Sequence, residues 1–105
     1  MNENKLVEIN EEDIRNLIYT IRGKQVMLSG DIARLYQVQT KKLNQAVKRN
    51  EKRFPKEFCF QLTDEEYDSL RSQFVTLKNQ GRGQHIKYLP YAFTEQGVAM
   101  LSAVL

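Results

Sequence analysis

The stretch Ser29-Gly30-Asp31-Ile32-Ala33-Arg34-Leu35-Tyr36-Gln37-Val38-Gln39-Thr40-Lys41-Lys42-Leu43-Asn44-Gln45-Ala46-Val47-Lys48-Arg49-Asn50 decides the fold. Ile32, Leu35 and Tyr36 follow Ser29 at helical spacing, and Ser29 reads as the N-cap of a two-turn helix. Gln37-Val38-Gln39 breaks the pattern. Thr40 is the next N-cap, and Leu43, Ala46, Val47 and Asn50 then recur at i, i+3, i+4 and i+7 on one helical face. Two helices crossing closely need a small residue near the middle of the first, and Ala33 stands there. Ile32, Leu35, Val38, Leu43 and Val47 are placed to lock the pair from inside. This is the layout of a helix-turn-helix. A non-glycine residue at positive φ is strained unless Asn-like, so Gln37 argues for a turn of another form.

The second helix reads as running from about Thr40 to Arg53, where Phe54-Pro55 stops it. With Leu43 and Val47 buried, 100° per residue puts Lys41, Gln45, Lys48 and Lys52 on the opposite stripe, flanked by Asn44 and Arg49. The segment from Lys41 to Arg53 holds six Lys or Arg and one acid, Glu51, whereas Met1 to Asp13 holds five acids and one Lys. Solvated helix faces normally mix charges. A face of amides and cations instead suits base edges and phosphates. The expected base-facing positions are Lys41, Asn44, Gln45 and Lys48. The expected phosphate contacts are Thr40, Lys42, Arg49 and Arg53, with Thr40 at a helix start that favours anions.

Working outward, Leu17 to Ile21 and Gln25 to Leu28 read as strands joined at Arg22-Gly23-Lys24-Gln25, a hairpin. Phe58 to Leu62 alternates like a half-buried strand. Thr63 and Glu66 form a capping box, opening a helix that turns Tyr67, Leu70 and Phe74 inward. His85 to Phe93 reads as extended, with Pro90 favouring an edge position. Thr94 caps a last apolar helix. Arg82 lies between Gly81 and Gly83. If the flanking segments pair, this is a hairpin tip, and Arg82 sits on a wing beside the groove. The expected fold is α+β: one small domain with a helix-turn-helix, short β-hairpins and a C-terminal apolar helix.

The chain of 105 residues fits one domain. Residues 1–11 read as a flexible lead and residues 12–105 as the domain. The apolar run Val98 to Leu105 ends without a helix stop signal, and so reads as continuing into a further region. The net charge of +3 is mild, so its distribution carries the argument. A single cysteine, Cys59, excludes an internal disulfide. No apolar run approaches the ~20 residues of a membrane helix, and the acidic N-terminus is unlike a secretory signal. A cytoplasmic bacterial or viral protein is expected.

Several strings resemble the ORF-six-N domain, a phage and prophage DNA-binding family related to the KilA-N domain. They are Ile21-Arg22-Gly23-Lys24-Gln25-Val26-Met27-Leu28, Leu43 to Asn50, Arg53-Phe54-Pro55, Phe58 to Thr63, Arg71-Ser72-Gln73-Phe74 and Tyr88 to Leu101. The resemblance spans roughly Glu12 to Leu105, with Gln37 in place of the familiar turn glycine. It implies a small α+β DNA-binding domain in a phage-type, antirepressor-like regulator. Its partners would be double-stranded DNA, a second copy as homodimer, and a phage or host repressor met through a further C-terminal region.

An enzyme is not expected, and no cofactor or metal is implied. Cys59 and His85 sit in different segments with no third triad member. Glu65, Glu66 and Asp68 could imitate the metal cluster of a nuclease, but acids early in a helix suit its dipole. Gly81-Arg82-Gly83 lacks the Lys-Ser or Lys-Thr of a phosphate loop. The second alternative is a protein-interaction module using the apolar last helix and exposed Tyr19 or Tyr91. RNA ranks below DNA because no strand carries an exposed aromatic pair for base stacking.

Overall fold

A computed structural model describes residues 11–73 and 89–105. The elements are α1 (Glu11–Arg15), β1 (Ile18–Ile21), β2 (Lys24–Leu28), α2 (Ser29–Tyr36) and α3 (Thr40–Arg49). A 3-10 turn (Glu51–Arg53), β3 (Cys59–Gln61), α4 (Asp64–Arg71), β4 (Tyr91–Phe93) and α5 (Glu95–Val104) follow. The four strands form one antiparallel sheet in the order β1-β2-β4-β3, so the domain is α+β, as expected.

The alternation of strand side chains builds two cores. Cys59 and Phe93, paired across β3 and β4, face one way and pack with Ile32, Ala33, Leu43, Val47, Phe54 and Leu101. Phe60 and Ala92, the next pair, face the other way and pack with Ile21, Val26, Leu62 and Leu70. Helices α2, α3 and α5 thus cover one face and α4 the other. Gly97 of α5 lies so close to β3 that a Cβ there would collide with the Phe58 carbonyl. The Thr94 hydroxyl accepts from the Gly97 amide at 3.3 Å, capping α5 as the sequence indicates.

The β1–β2 hairpin closes through two residues, Arg22 (φ 57) and Gly23 (φ 74), between the paired Ile21 and Lys24. Two successive left-handed residues make the type I′ turn that matches strand twist. Glycine adopts this conformation freely. Arg22 is held in it by what its side chain touches. Its guanidinium lies 4.1 Å from the Phe60 ring centroid and donates from Nε to Glu66 Oε2 at 2.7 Å. Glu66 Oε1 also accepts from the Thr63 amide at 2.9 Å, and Thr63 Oγ1 accepts from the Glu66 amide at 3.1 Å. The expected capping box is present and ties the hairpin to α4.

Some expectations change. Ser29 and Thr40 are the first helical residues rather than N-caps; Leu28 and Gln39 hold those positions, without side-chain caps. The Ser29 hydroxyl instead accepts from the Tyr91 amide at 3.3 Å, which binds α2 to β4. The strand containing Pro90's neighbours is central, between β2 and β3, not at an edge. Pro90 sits one residue before β4, so it removes no ladder bond, and its carbonyl accepts from the Leu62 amide at 2.9 Å. Tyr19 and Tyr91 are half-buried rather than exposed. Leu70 is buried as expected and Tyr67 is half-buried. Phe74, His85 and Arg82 with its expected wing lie outside the described residues.

The turn at Gln37 is the clearest correction. Gln37 does take a left-handed conformation, φ 59 and ψ 44. Its amide donates to the Arg34 carbonyl at 3.1 Å, and the Val38 amide donates to the Ala33 carbonyl at 2.9 Å. These two bonds are the Schellman pattern. Val38 packs on the core that contains Ala33, supplying the apolar contact that accompanies it.

A left-handed conformation costs an L residue about 1–2 kcal/mol, and glycine gives back about 0.5–1 kcal/mol of that in chain entropy. Gln37→Gly is therefore expected to stabilise the domain by up to about 1 kcal/mol, read as a rise of a few degrees in Tm; a fall would contradict the strain. The Arg22 hydrogen bond holds the Glu66 carboxyl below its ordinary value. A depressed carboxyl stabilises above its unfolded pKa, near 4.5, and that contribution fades as pH drops through the folded value. Acid titration of wild type against Glu66→Gln should show the wild type's advantage shrinking below pH about 4.5, not above it.

Candidate nucleic-acid interface

The position of α3 follows from its apolar face. Leu43 is fully buried, and Ala46 and Val47 are nearly so, against α2 and the sheet. Burying that stripe turns the opposite one outward. Thr40, Lys41, Lys42, Gln45, Lys48 and Arg49 are exposed, and so are Lys52 and Arg53 beyond the helix. Asn44 differs: it is half-buried, on the flank between the two faces.

The helix is shorter than the sequence indicates. Asn50 leaves the helical region at φ −117, ψ 39. Its side-chain Nδ2 donates to the Ala46 carbonyl at 2.8 Å, and its backbone amide donates to the Ala46 and Val47 carbonyls. Asn50 is thus a stop rather than a face residue. Lys52 and Arg53 sit on the 3-10 turn that follows, not on the stripe of Lys41, Gln45 and Lys48.

The charges of its first turn separate α3 from α2, α4 and α5. Arg22, Arg34 and Arg71 are each paired with a carboxylate, at 2.7, 2.6 and 3.1 Å. No ion pair among the described residues engages Lys41, Lys42, Lys48, Arg49, Lys52 or Arg53. Acids begin α2 (Asp31), α4 (Asp64, Glu65, Glu66) and α5 (Glu95), where they complement the helix dipole. The first turn of α3 has no acid and two lysines. Local stability rules are thus broken on one helix, and on one face of it. Such departures mark surfaces kept for something other than folding.

Beside this face lies a cleft of about 1010 Å³. Thr40 and the four expected base-facing residues, Lys41, Asn44, Gln45 and Lys48, all border it. Lys42, Arg49 and Arg53 do not. The far wall is Leu89, Pro90 and Tyr91, with Gln61 of β3. The sequence reading missed this wall. Gln61 could have been noticed as the outward position of an alternating strand, but nothing local places it opposite α3.

Catalytic groups do not gather here. Cys59 borders the cleft but is buried, and burial pushes its thiol up to about 12. It is therefore a packed neutral thiol at ordinary pH. Among the described residues no group of three or more His, Cys, Asp or Glu could hold a metal ion. No described helix is long and apolar enough to cross a membrane.

The family model of the ORF6N domain matches residues 16–104. Neither the comparison with curated proteins nor that with solved structures found a match.

Lys42→Glu places an acid at the third helical residue of α3, where it is worth about 0.3–1 kcal/mol. The variant should melt higher than wild type in low salt, with the gain fading near 1 M salt as charges are screened. A lower melting temperature would mean that Lys42 serves folding.

Proposed function

The chain belongs to the ORF6N domain family, and from that premise we propose that it is a regulatory domain that binds double-stranded DNA through the outer face of α3. One observation carries the reading: six cations between Lys41 and Arg53 are exposed and have no ion-pair partner among the described residues, on a helix whose first turn has no acid. Phosphates would supply the missing countercharge. Gln45, exposed between Lys41 and Lys48, has the amide that pairs with an adenine edge. Helices α2 and α3, joined at Gln37 to Gln39, supply the helix-turn-helix, with α3 as the reading helix. Lys42, Arg49, Lys52 and Arg53 flank it as phosphate contacts, which set position without selecting sequence. The reading is of a non-enzymatic phage-type regulator acting in the cytoplasm.

Duplex titrations at about 50 and 200 mM salt test it. Several phosphate contacts make affinity fall with a log-log slope near −0.9 for each. Lys42→Ala should weaken all duplexes alike and flatten the slope by about one contact, whereas Gln45→Ala should change sequence preference. A protein-only interface would be indifferent to replacing Lys41, Lys48 and Arg49 with Glu. Absence of duplex binding at 50 mM salt would end this reading.

A further inference from the structure

The inner side of α3 borders a half-open hollow. The cleft beside α3 is open on one side, and its volume of about 1010 Å³ leaves room for a small organic molecule, whose sites run to about 300–1,000 Å³. Val47, Phe54 and Cys59 contribute apolar atoms to it, and Pro90 and Tyr91 form the opposite wall. Lys41 and Lys48 stand on the helix side, against a single acid, Glu51, among the described residues that border it.

Asn44 is the informative group. Its Oδ1 is shut off from water and accepts no hydrogen bond among the described residues. A buried acceptor without a partner is costly. Asn44 itself borders the cleft, and a half-turn about χ2, a broad two-fold torsion, would exchange its covered carbonyl for its amide. The hollow therefore combines an apolar floor, one unspent polar edge and a cationic rim. A planar heteroaromatic ring with donors and acceptors along its edge, joined to a phosphate, satisfies all three. A base inside a duplex shows only its groove edge and cannot enter.

We propose that the cleft is a nucleobase pocket, which takes one unstacked base from nucleic acid held on the outer face of α3. This rests on the DNA-binding reading and adds to it a preference for sites where a base is unpaired or easily unpaired. The base would lie against Pro90 and Tyr91, with its polar edge at Asn44 and its phosphate between Lys41 and Lys48. Extracting a base costs least where pairing is already broken.

The probe is a duplex carrying one bulged 2-aminopurine, compared with the same duplex fully paired, at equal salt. The bulged duplex should bind roughly tenfold tighter or better, about what one stacked base is worth, and its fluorescence should change on binding. Millimolar adenosine monophosphate should displace the bulged duplex from the wild-type protein and erode that advantage. Asn44→Leu, close in shape and compatible with the helix, should collapse the ratio of the two affinities. Equal affinity for both duplexes, with no fluorescence change, overturns the pocket and leaves duplex binding standing. Failure to bind either overturns both readings.

Discussion

Everything that distinguishes this domain depends on how the Leu43 and Val47 stripe of α3 is buried. Those residues pack with Ile32 and Ala33 of α2, Phe93 of β4 and Leu101 of α5, in one continuous core. Removing a side chain such as Leu43 from such a site costs about 2–5 kcal/mol, a large part of the about 5–15 kcal/mol that holds a domain together. The rotation of α3 about its axis is therefore not free. With that stripe committed, Lys41, Gln45 and Lys48 must face outward, whatever the electrostatic cost. The close approach at Ala33 and the left-handed turn at Gln37 let two short helices meet at all. Gln37 accepts a strained backbone because the Schellman bonds and the seat of Val38 over-determine the turn.

Stability is distributed unevenly as a result. Away from α3 three arginines are paired with carboxylates. Asp31 and Arg34, Asp68 and Arg71, and Arg22 and Glu66 are joined, and acids occupy the helix starts. Exposed pairs of this kind are worth little singly, but the Arg22–Glu66 contact does more than its Coulomb energy. It joins the hairpin turn, the Phe60 ring and the cap of α4 at one point. On α3 and the turn after it six cations crowd together, and none of them is in an ion pair among the described residues. The duplex proposed above would supply the charge that this surface lacks among the described residues.

The sheet order explains why that surface is indented rather than smooth. Because β4 inserts between β2 and β3, the segment Leu89 to Tyr91 enters the sheet opposite α3, with β3 at its side. The resulting wall turns the inner margin of the helix into a cleft and leaves Asn44 on its flank, half-covered. The outer margin, with Lys42 and Arg49, stays clear. One helix thus presents two surfaces of different shape. That division could not have been placed by helical periodicity.

By itself the sequence determined the parts governed by short-range physics. Periodicity identified the buried stripe of α3, Thr63 with Glu66 announced a capping box, and Arg22-Gly23 marked a tight hairpin turn. Each depends on residues within a few positions of one another, so each is readable along the chain. The outward direction of the cations followed, since it is the complement of the buried stripe. Tertiary structure decided what depends on distant partners. Ser29 gave up its expected cap to hold β4, 62 residues away. Pro90 proved compatible with a central strand because it stands one residue outside it. Lys52 left the stripe of Lys41, Gln45 and Lys48 once Asn50 ended the helix early. The cleft itself arose only when Gln61 and Tyr91 were carried by the sheet to face Asn44, since no local pattern records which strand will lie beside a helix.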